Sequence, residues 1–361
     1  MDSIFDRAVQ KGFRALDRIH GQIDNRSVEV LSDEELEKHF HKGKETILYV
    51  GIRYDYGKKN WGLSYEHYQF FETLLNMGYS LIYFDYDRIS QRFGITKTSQ
   101  ILREAAYVYH PDILFYFHFH DWIEHYVWKE ISNDLPTKTI VMLADDHWRY
   151  KETKTVWKMF NLVVTTDSKG FERRLKEGFA NVFLTQWACN HFLYKNLGLP
   201  KRYDASFVGR CYGERKSFVE TIKKRGINIA AFGLGWPNGG RVSQADIIRI
   251  YNESKISLNL SRASSGDKIQ IKGRDFEAVG CGSLLLTRSS KEIEEYFIPD
   301  EEIVTYRDAN EASEKIAYYL KNADERERIA KKGYERLLRE HTMEKRFLSI
   351  LHSAEDVKKK Q

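Results

Sequence analysis

The stretch Gln270-Ile-Lys-Gly-Arg-Asp-Phe-Glu-Ala-Val-Gly-Cys-Gly-Ser-Leu-Leu-Leu-Thr287 carries the signals that decide the fold of this chain. Its spacing predicts a polar loop, a short helix that stops at Gly280 and Gly282, and a buried strand over Ser283–Thr287. Loop, helix and strand in that order are the units of a layered α/β domain with a parallel sheet. The stretch therefore predicts an α/β fold.

The same stretch places charged side chains where phosphates bind in such sheets. Lys272 and Arg274 lie at the predicted helix start, where unpaired backbone N–H groups and the helix dipole favour an anion. The planar guanidinium of Arg274 suits phosphate oxygens. Glu277, one turn later, is an acceptor for two adjacent hydroxyls, as on a ribose. The alternative is an Arg–Glu pair at helical spacing on a solvated face.

Length and charge narrow the class of protein. The chain has 361 residues, enough for two domains with a sizeable core in each. Its net charge is +5, from 57 Lys and Arg against 52 Asp and Glu, and the one basic block is Lys358–Lys360. Dedicated nucleic-acid binders segregate their charge more strongly, so we expect no nucleic-acid partner. A local basic cleft for a phosphorylated ligand is the more economical interpretation.

Cysteine content and hydropathy bear on location. Cys189, Cys211 and Cys281 are widely spaced, which argues against a disulfide framework or a zinc site and for a reducing compartment. No apolar run approaches the length of a membrane span, and the N-terminus lacks a secretory pattern. We therefore expect a cytoplasmic protein.

Two series of alternating strands and helices follow residue 45. They predict an N-terminal Rossmann-like domain over residues 46–197 and a C-terminal one over 198–341, facing each other across a cleft. Residues 342–361 predict a closing helix. Ligands of such sheets bind outside the carboxyl ends of the strands, where the motifs described below occur.

Residues 1–45 predict an N-terminal helical extension with one apolar face. That face comprises Ile4, Phe5, Ala8, Val9, Gly12, Phe13 and Leu16. Packing onto the first domain is the favoured interpretation. Peripheral membrane contact or an oligomer contact is the alternative.

Basic residues follow the first strand of the second series. Gly209 would let the backbone approach a phosphate closely, and Arg210, Arg215 and Lys216 would neutralise it. The motif is neither a P-loop nor a GxGxxG sequence, so a turn glycine before a solvated helix start is the alternative.

A glycine-rich loop with one tryptophan ends the next strand. Trp236, predicted to be exposed, would form a shelf for a nucleobase, or the loop is only a connector. The polar segment Ala263–Ile269 would border the same cleft, where a sugar could lie.

Carboxylates and histidines end two strands of the first series. Asp145 and Asp146 would supply a general base for an acceptor hydroxyl, or they cap the next helix. His120 or Asp121 is predicted as a polar group lining the cleft, with a histidine of the core or of its rim as the default interpretation. A metal pair of His118 and His120 lacks a third ligand at a known spacing, so we expect no metal site.

Beyond single motifs, the second half carries a longer pattern. It runs through Phe207-Val-Gly209, Ala231-Phe-Gly-Leu-Gly-Trp236, Ile250–Leu260, Arg274-Asp-Phe-Glu277, Glu302–Tyr306 and His341-Thr342. The first half matches more loosely, through Tyr54–Gly57, Gly62–Tyr65, Ala144–Asp146 and Thr165–Asp167. This pattern resembles the CgeB-like glycosyltransferases, named after a spore-maturation protein, which have the GT-B architecture.

The resemblance implies a nucleoside-diphosphate sugar held mainly by the second domain. It implies Arg274 at the diphosphate and Glu277 at the ribose, with Gly209, Arg210 and Arg215 nearby. An unidentified carbohydrate, lipid or protein acceptor would be held by the first domain. No metal or other cofactor is implied, because basic side chains and a helix dipole stabilise the leaving diphosphate. The helix over residues 342–361 would return to the first domain.

One departure leaves the stereochemistry open. Many related retaining enzymes carry a glutamate eight positions before the ribose glutamate, and here that position is Ile269. If the enzyme inverts, the candidates for the general base are Asp145, Asp146, His120 and Asp121. The rival hypotheses are a nucleotide-sugar 2-epimerase on the same fold and a non-catalytic scaffold that binds nucleotide sugar or glycan.

Overall fold

The structure, a computed structural model, describes residues 45–237, 239–261 and 269–358. The chain divides into two compact units. Unit 1 contains the described residues up to Gln186 together with those from Phe347 onward, and unit 2 spans Trp187–Arg346. The predicted extension over residues 1–45, except Glu45, and most of the polar segment 263–269 lie outside the described residues.

Unit 1 is built on a six-stranded parallel sheet. In chain order its strands are β1 (Thr46–Gly51), β2 (Ser80–Asp85), β3 (Ile113–His118), β4 (Lys138–Leu143), β5 (Leu162–Thr165) and β6 (Val182–Leu184). They lie side by side in the order β2-β1-β3-β4-β5-β6. The central strands are buried along nearly their whole length, as continuous apolar runs covered by helices on both faces require.

Five helices connect these strands. They are α1 (Glu72–Asn76), preceded by a π-helical turn over His67–Phe71, α2 (Tyr86–Tyr109), α3 (His125–Asp134), α4 (Asp146–Thr153) and α5 (Ser168–Lys176). The sequence pattern predicts a helix only around Lys97–Tyr109, but α2 begins eleven residues earlier, at Tyr86. Asp85 caps its N-terminus, and the chain bends at Gly94, which has φ +79° and ψ 166°. The internal glycine concealed the first half of this helix in the sequence pattern.

Unit 2 carries a five-stranded parallel sheet in the order β11-β10-β9-β7-β8. Its strands are β7 (Tyr203–Val208), β8 (Ile229–Phe232), β9 (Ser254–Leu258), β10 (Leu284–Arg288) and β11 (Val304–Tyr306). Its helices are α6 (Arg215–Lys224), α7 (Gln244–Asn252), α8 (Arg274–Gly280), α9 (Lys291–Glu294), α10 (Ala309–Lys321) and α11 (Ala323–Glu340). The last helix, α12 (Met343–Lys358), starts in unit 2 and belongs to unit 1 from Phe347 onward.

Two local sequence signals are confirmed in unit 2. The sequence Ser243-Gln-Ala-Asp246 fits a capping box at a helix start. In the structure the Ser243 hydroxyl accepts a hydrogen bond from the Asp246 backbone N–H at 3.1 Å and so caps α7. Helix α8 ends where predicted, because Gly282 has φ +75° and its N–H donates to the Val279 carbonyl at 2.9 Å. The predicted α/β class with two parallel sheets is confirmed.

Both sheets have a topological switch point. In unit 1 the chain passes from β1 to β2 on one side and then crosses back to β3, so the loops after β1 and β3 diverge. In unit 2 the same reversal separates β7 from β9. The diverging loops leave a crevice at the carboxyl ends of these strands, which is where open α/β sheets bind ligands.

Candidate functional site

Two arginines lie at the switch point of unit 2. Arg215 opens α6, which follows the β7 end, and Arg274 opens α8, beyond the end of β9. The guanidinium carbons of Arg215 and Arg274 lie 5.4 and 5.8 Å from the centre of the same ring, that of Phe207, so the two positive groups are close enough to repel each other. Burial, and after it the charge of Arg274, lowers the pKa of Arg215. The structure thus brings together two residues that the sequence analysis assigned to a phosphate site.

Arg215 is held by carbonyl groups and aromatic rings. Its Nη1 donates to the Arg210 carbonyl at 2.9 Å and its Nη2 to the Leu260 carbonyl at 3.3 Å. The guanidinium carbon stands 4.0 Å from the centre of the Tyr212 ring. Burial, followed by the charge of Arg274, lowers the pKa of Arg215 to about 10. At neutral pH the group remains charged, and its hydrogen bonds bring it no negative charge.

The loops after β7 and β8 pack closely against each other beside these arginines. The Gly209 N–H donates to the Phe232 carbonyl at 2.8 Å, and the Gly209 carbonyl accepts from the Trp236 indole N–H at 2.8 Å. A Cβ on Gly233, where φ is +126°, would lie 2.5 Å from the Gly209 oxygen. A Cβ on Gly209 would lie 3.1 Å from Arg274 Nη1. Glycine is therefore required for this backbone to approach the guanidinium.

Trp236 departs from the sequence-based expectation. Only 7% of the residue is exposed, because its ring packs on Phe207 and its N–H is used by the loop. The prediction that Trp236 forms an exposed shelf was wrong. Its buried ring instead stabilises the glycine-containing loops after β7 and β8. The burial of the ring and the hydrogen bond of its N–H argue against the predicted role of Trp236 in binding the nucleobase.

Arg274 is fixed by an asparagine that the sequence analysis did not select. Its Nε donates to Asn259 Oδ1 at 3.2 Å. The amide nitrogen of Asn259 donates in turn to the Asp275 carboxylate at 2.5 Å and to the Ser261 hydroxyl at 3.0 Å. Among residues 45–237, 239–261 and 269–358, no carboxylate forms an ion pair with Arg274.

Asp275 is the buried centre of this arrangement. It is fully buried and also accepts from the Thr287 hydroxyl at 2.7 Å and from the Lys272 backbone N–H at 2.8 Å. Burial raises the pKa of Asp275. Its position between Arg274 and Phe276 at a helix start was visible in the sequence, but its partners Asn259, directly after β9, and Thr287, on β10, were not.

The remaining residues predicted for the donor side differ in exposure. Arg210 and Lys216 are exposed, and the Lys272 ammonium group donates to Gln270 at 2.6 Å. Glu277 is 4% exposed, and its charge contributes to raising the pKa values of Tyr251 and Cys281 nearby. The ribose role of Glu277 and the phosphate roles of the others stay predictions.

In unit 1, Asp146 is part of a buried ion pair. Arg174 donates to both of its carboxylate oxygens, at 2.5 and 2.6 Å, and neither side chain has any exposed surface. Thr153 and Thr165 donate to the same two oxygens at 3.1 and 2.7 Å. Four hydrogen bonds occupy this carboxylate, so the geometry argues against Asp146 as a general base and for a structural role.

Asp145, its neighbour, is half-buried and has φ +50°, an uncommon conformation for a non-glycine residue. It is electrostatically coupled to Glu66, a residue that the sequence analysis did not select. Burial raises the pKa of Glu66 to about 7, and the charge of Asp145 adds to this increase. Glu66 lies two residues beyond Ser64, the end of a loop after β1 whose glycines and mixed polar and aromatic residues predict recognition of a sugar or diphosphate.

The histidines that follow β3 differ in their surroundings. His118 is 1% exposed, and neither of its ring nitrogens has a hydrogen-bond partner. Burial, with the nearby charge of Arg149, lowers the pKa of His118 to about 4 and also lowers that of His120. The His120 ring stacks on Trp122 at 4.3 Å, and about a third of its side chain is exposed. Asp121 is exposed and pairs with His125 at 3.1 Å.

Two further findings concern only the part of the chain that the structure describes. Within it, no three His, Cys, Asp or Glu side chains converge in a way that could hold a metal ion. Nor does any helix there combine the length and apolarity that crossing a membrane requires.

Comparison with known proteins shows which proteins this chain is similar to. Residues 214–352, which contain Arg215, Arg274 and Asp275, match the family described as "Glycosyl transferase-like". The spore protein CgeB of Bacillus subtilis (strain 168) is 22% identical over 241 residues, which cover 60% of this chain and 73% of CgeB. The chain is thus similar to the CgeB-like glycosyltransferases, over its second half in particular. The predicted resemblance is thereby confirmed.

Solved structures show which fold this CgeB-like chain has. A glycosyltransferase from Rickettsia africae ESF-5 superposes with a TM-score of 0.61 at 12% identity, covering 88% of this chain and all of that one. Anabaena Alr3699/HepE in complex with UDP-glucose gives a TM-score of 0.56 at 11% identity, over 88% of this chain and all of that one. The CgeB-like chain therefore has the GT-B fold, with a Rossmann-like parallel sheet in each unit.

Proposed function

We propose that this protein transfers a sugar from a nucleoside-diphosphate donor to an acceptor hydroxyl. The observation that carries the proposal is the pair Arg215 and Arg274 at the switch point of unit 2. Both guanidinium groups are bound by uncharged oxygens, and the two repel each other. A diphosphate relieves that repulsion, and it accepts hydrogen bonds in the planar geometry that arginine offers.

The chemistry follows from where charge develops. As the bond between the anomeric carbon and the diphosphate oxygen breaks, negative charge accumulates on the leaving group. Two positive groups fixed before the reaction stabilise this charge more than that of the intact donor, so they favour the transition state. Because these groups supply the positive charge, we propose that transfer requires no metal ion.

The donor is proposed to be a UDP-hexose, which would make the protein a hexosyltransferase. Structures of Anabaena Alr3699/HepE contain UDP, glucose and UDP-glucose, and the shared fold supports testing these ligands first. We also propose a cytoplasmic location, because the protein has to be in the compartment where its nucleotide-sugar donor is supplied. The acceptor is a carbohydrate, lipid or protein with a free hydroxyl.

We propose His120 as the acceptor base, ahead of Asp145, Asp121 and Asp146. Its lowered pKa keeps the imidazole neutral at pH 7, so a ring nitrogen is able to take the proton of the acceptor hydroxyl. The exposed third of its side chain makes it accessible to a ligand. The carboxylate of Asp146, by contrast, is occupied by its buried ion pair with Arg174.

The test incubates the protein with a panel of UDP-, GDP-, dTDP- and ADP-sugars, with and without EDTA. It measures the nucleoside diphosphate that is released when water takes the sugar in place of the unidentified acceptor. We expect release from one donor class, unaffected by EDTA and lowered at least about 100-fold in Arg274→Ala, since that variant loses a transition-state charge contact. An altered sugar nucleotide formed without any acceptor would indicate the epimerase instead. Saturable binding with no product from any donor would indicate the scaffold.

A further inference from the structure

We propose that Asn259 is a positioning residue that acts as an uncharged spacer between Arg274 and the buried carboxylate of Asp275. Its amide keeps the two charges from pairing directly, so that the guanidinium stays available to a diphosphate. The inference rests on the proposed function for the identity of the ligand. It deepens that proposal by stating what makes the site selective for the phosphate part of the donor.

The hydrogen bonds of Asn259 are compatible with only one orientation of its side-chain amide. Arg274 donates from Nε to the amide oxygen, and the amide nitrogen donates to Asp275 and to Ser261. If the amide were flipped, its NH₂ group would face the donating guanidinium and its oxygen would face the carboxylate. Both contacts would be repulsive, so the two charged neighbours fix the orientation of the amide.

The backbone of Asn259 is fixed as well. Its N–H donates to the Leu286 carbonyl at 2.9 Å, and its carbonyl accepts from the Tyr306 hydroxyl at 2.6 Å. Only 1% of the residue is exposed. Asn259 is thus anchored on β10 and β11 as well as at its side chain, and it holds Arg274 through a single rigid contact.

The spacer matters because Arg274 and Asp275 are adjacent in sequence and opposite in charge. A guanidinium in direct contact with a carboxylate has its charge largely cancelled and its hydrogen-bond donors occupied. Hydrogen bonds from Thr287, Lys272 and Asn259 hold the carboxylate in place. An uncharged amide between the two keeps the carboxylate in place and leaves Nη1 and Nη2 of Arg274 for phosphate.

The experiment titrates inorganic pyrophosphate into the full chain, without metal, by isothermal calorimetry. Asn259→Ala removes the spacer and lets Arg274 contact Asp275, so we expect about 30-fold weaker binding. Asp275→Asn should bind within about threefold of the wild type. The double variant Asn259→Ala/Asp275→Asn should recover to within about fivefold, because Arg274 then has no carboxylate to pair with.

A matched control separates this effect from general damage. Asn252 is another buried amide in unit 2, bonded to the Leu197 N–H and to the Lys195 and Ile248 carbonyls. Asn252→Ala should lower the melting temperature and leave pyrophosphate affinity unchanged. Asn259→Ser replaces Asn259→Ala if the latter does not fold, as judged by circular dichroism.

The outcomes are distinct. Wild-type affinity in folded Asn259→Ala, or a double variant that binds as weakly as Asn259→Ala, would overturn the spacer. Failure of pyrophosphate to bind the wild type would overturn it too. Pyrophosphate bound with the expected order, but no donor turned over, would support the spacer and refute the proposed glycosyl transfer.

Discussion

Replacing Asp146 with asparagine should destabilise unit 1 and should do so without touching the chemistry of transfer. The side chains of Asp146 and Arg174 have no exposed surface, and the guanidinium is also stacked on Trp157 at 3.9 Å. Removing one charge of a fully buried pair leaves the other uncompensated, which costs about 3–5 kcal/mol of unfolding free energy. Two of the four hydrogen bonds to the carboxylate would also meet an NH₂ group in place of an oxygen.

Urea unfolding followed by tryptophan fluorescence measures this cost. With a denaturant dependence of about 2–3 kcal/mol per molar, the transition of unit 1 should move by about 1–2 M. Asp145→Asn is the matched control, since the neighbouring residue is half-buried and has φ +50°, a conformation that asparagine tolerates. We expect the control to shift the transition by less than about 0.3 M.

A second substitution distinguishes lost charge from lost packing. Arg174→Met in the Asp146→Asn background removes the guanidinium charge that has lost its partner, and it keeps an apolar side chain against Trp157. It should restore at least about 2 kcal/mol, because a buried ion pair replaced by apolar groups is often nearly neutral. The reasoning is refuted if Asp146→Asn unfolds at the wild-type urea concentration while sugar transfer is abolished, for then the carboxylate acts in catalysis.

Three further predictions concern single groups. Gly233→Ala should cost about 2–3 kcal/mol in the thermal unfolding of unit 2, because its Cβ would meet the Gly209 oxygen at 2.5 Å, whereas Gly240→Ala, with open space around it, should be neutral. His118→Gln should reveal a pH-dependent cost: the pKa of His118 is lowered to about 4, so its contribution is complete above pH 6.5 and falls as the pH drops toward 4. Between pH 7.5 and pH 5 the wild type should lose about 2 kcal/mol relative to the variant in urea titrations, and an equal loss in both proteins would contradict this. Trp236→Phe should lower stability by about 1–2 kcal/mol through the lost hydrogen bond to Gly209, and calorimetry with UDP, GDP and ADP should show the base preference unchanged.

Local signals were sufficient to predict most of the fold. The apolar run at Leu284–Thr287 became β10, and Ser243 and Gly282 delimit helices as their chemistry requires. Helix α2 was predicted only in its second half, since Gly94 breaks the helical pattern and the capping role of Asp85 is hidden at a strand end. A glycine inside a helix is the ambiguous case for pattern reasoning.

The candidate site was predictable where the type of residue alone indicates what it binds. Arginines at strand ends indicated an anion, and Arg215 and Arg274 do lie together. Asn259 and Asp146 were not predictable in their roles, because each is defined by a partner distant in sequence. Asp275 is 16 residues from Asn259, and Arg174 is 28 residues from Asp146. A buried hydrogen bond between such residues is decided by tertiary packing, which a sequence pattern does not contain.

The assignment of α12 to two units affects how the protein is made. Phe347 packs its ring against Phe70 and Phe115 in the core of unit 1, at 6.0 and 5.4 Å. On a translating ribosome, unit 2 is therefore complete in sequence before unit 1 receives its last core helix. A nascent chain that stops at Arg346 carries a first unit whose aromatic core is uncovered on one side. Termination before Phe347 should thus harm unit 1, which cannot finish folding until α12 has been synthesised.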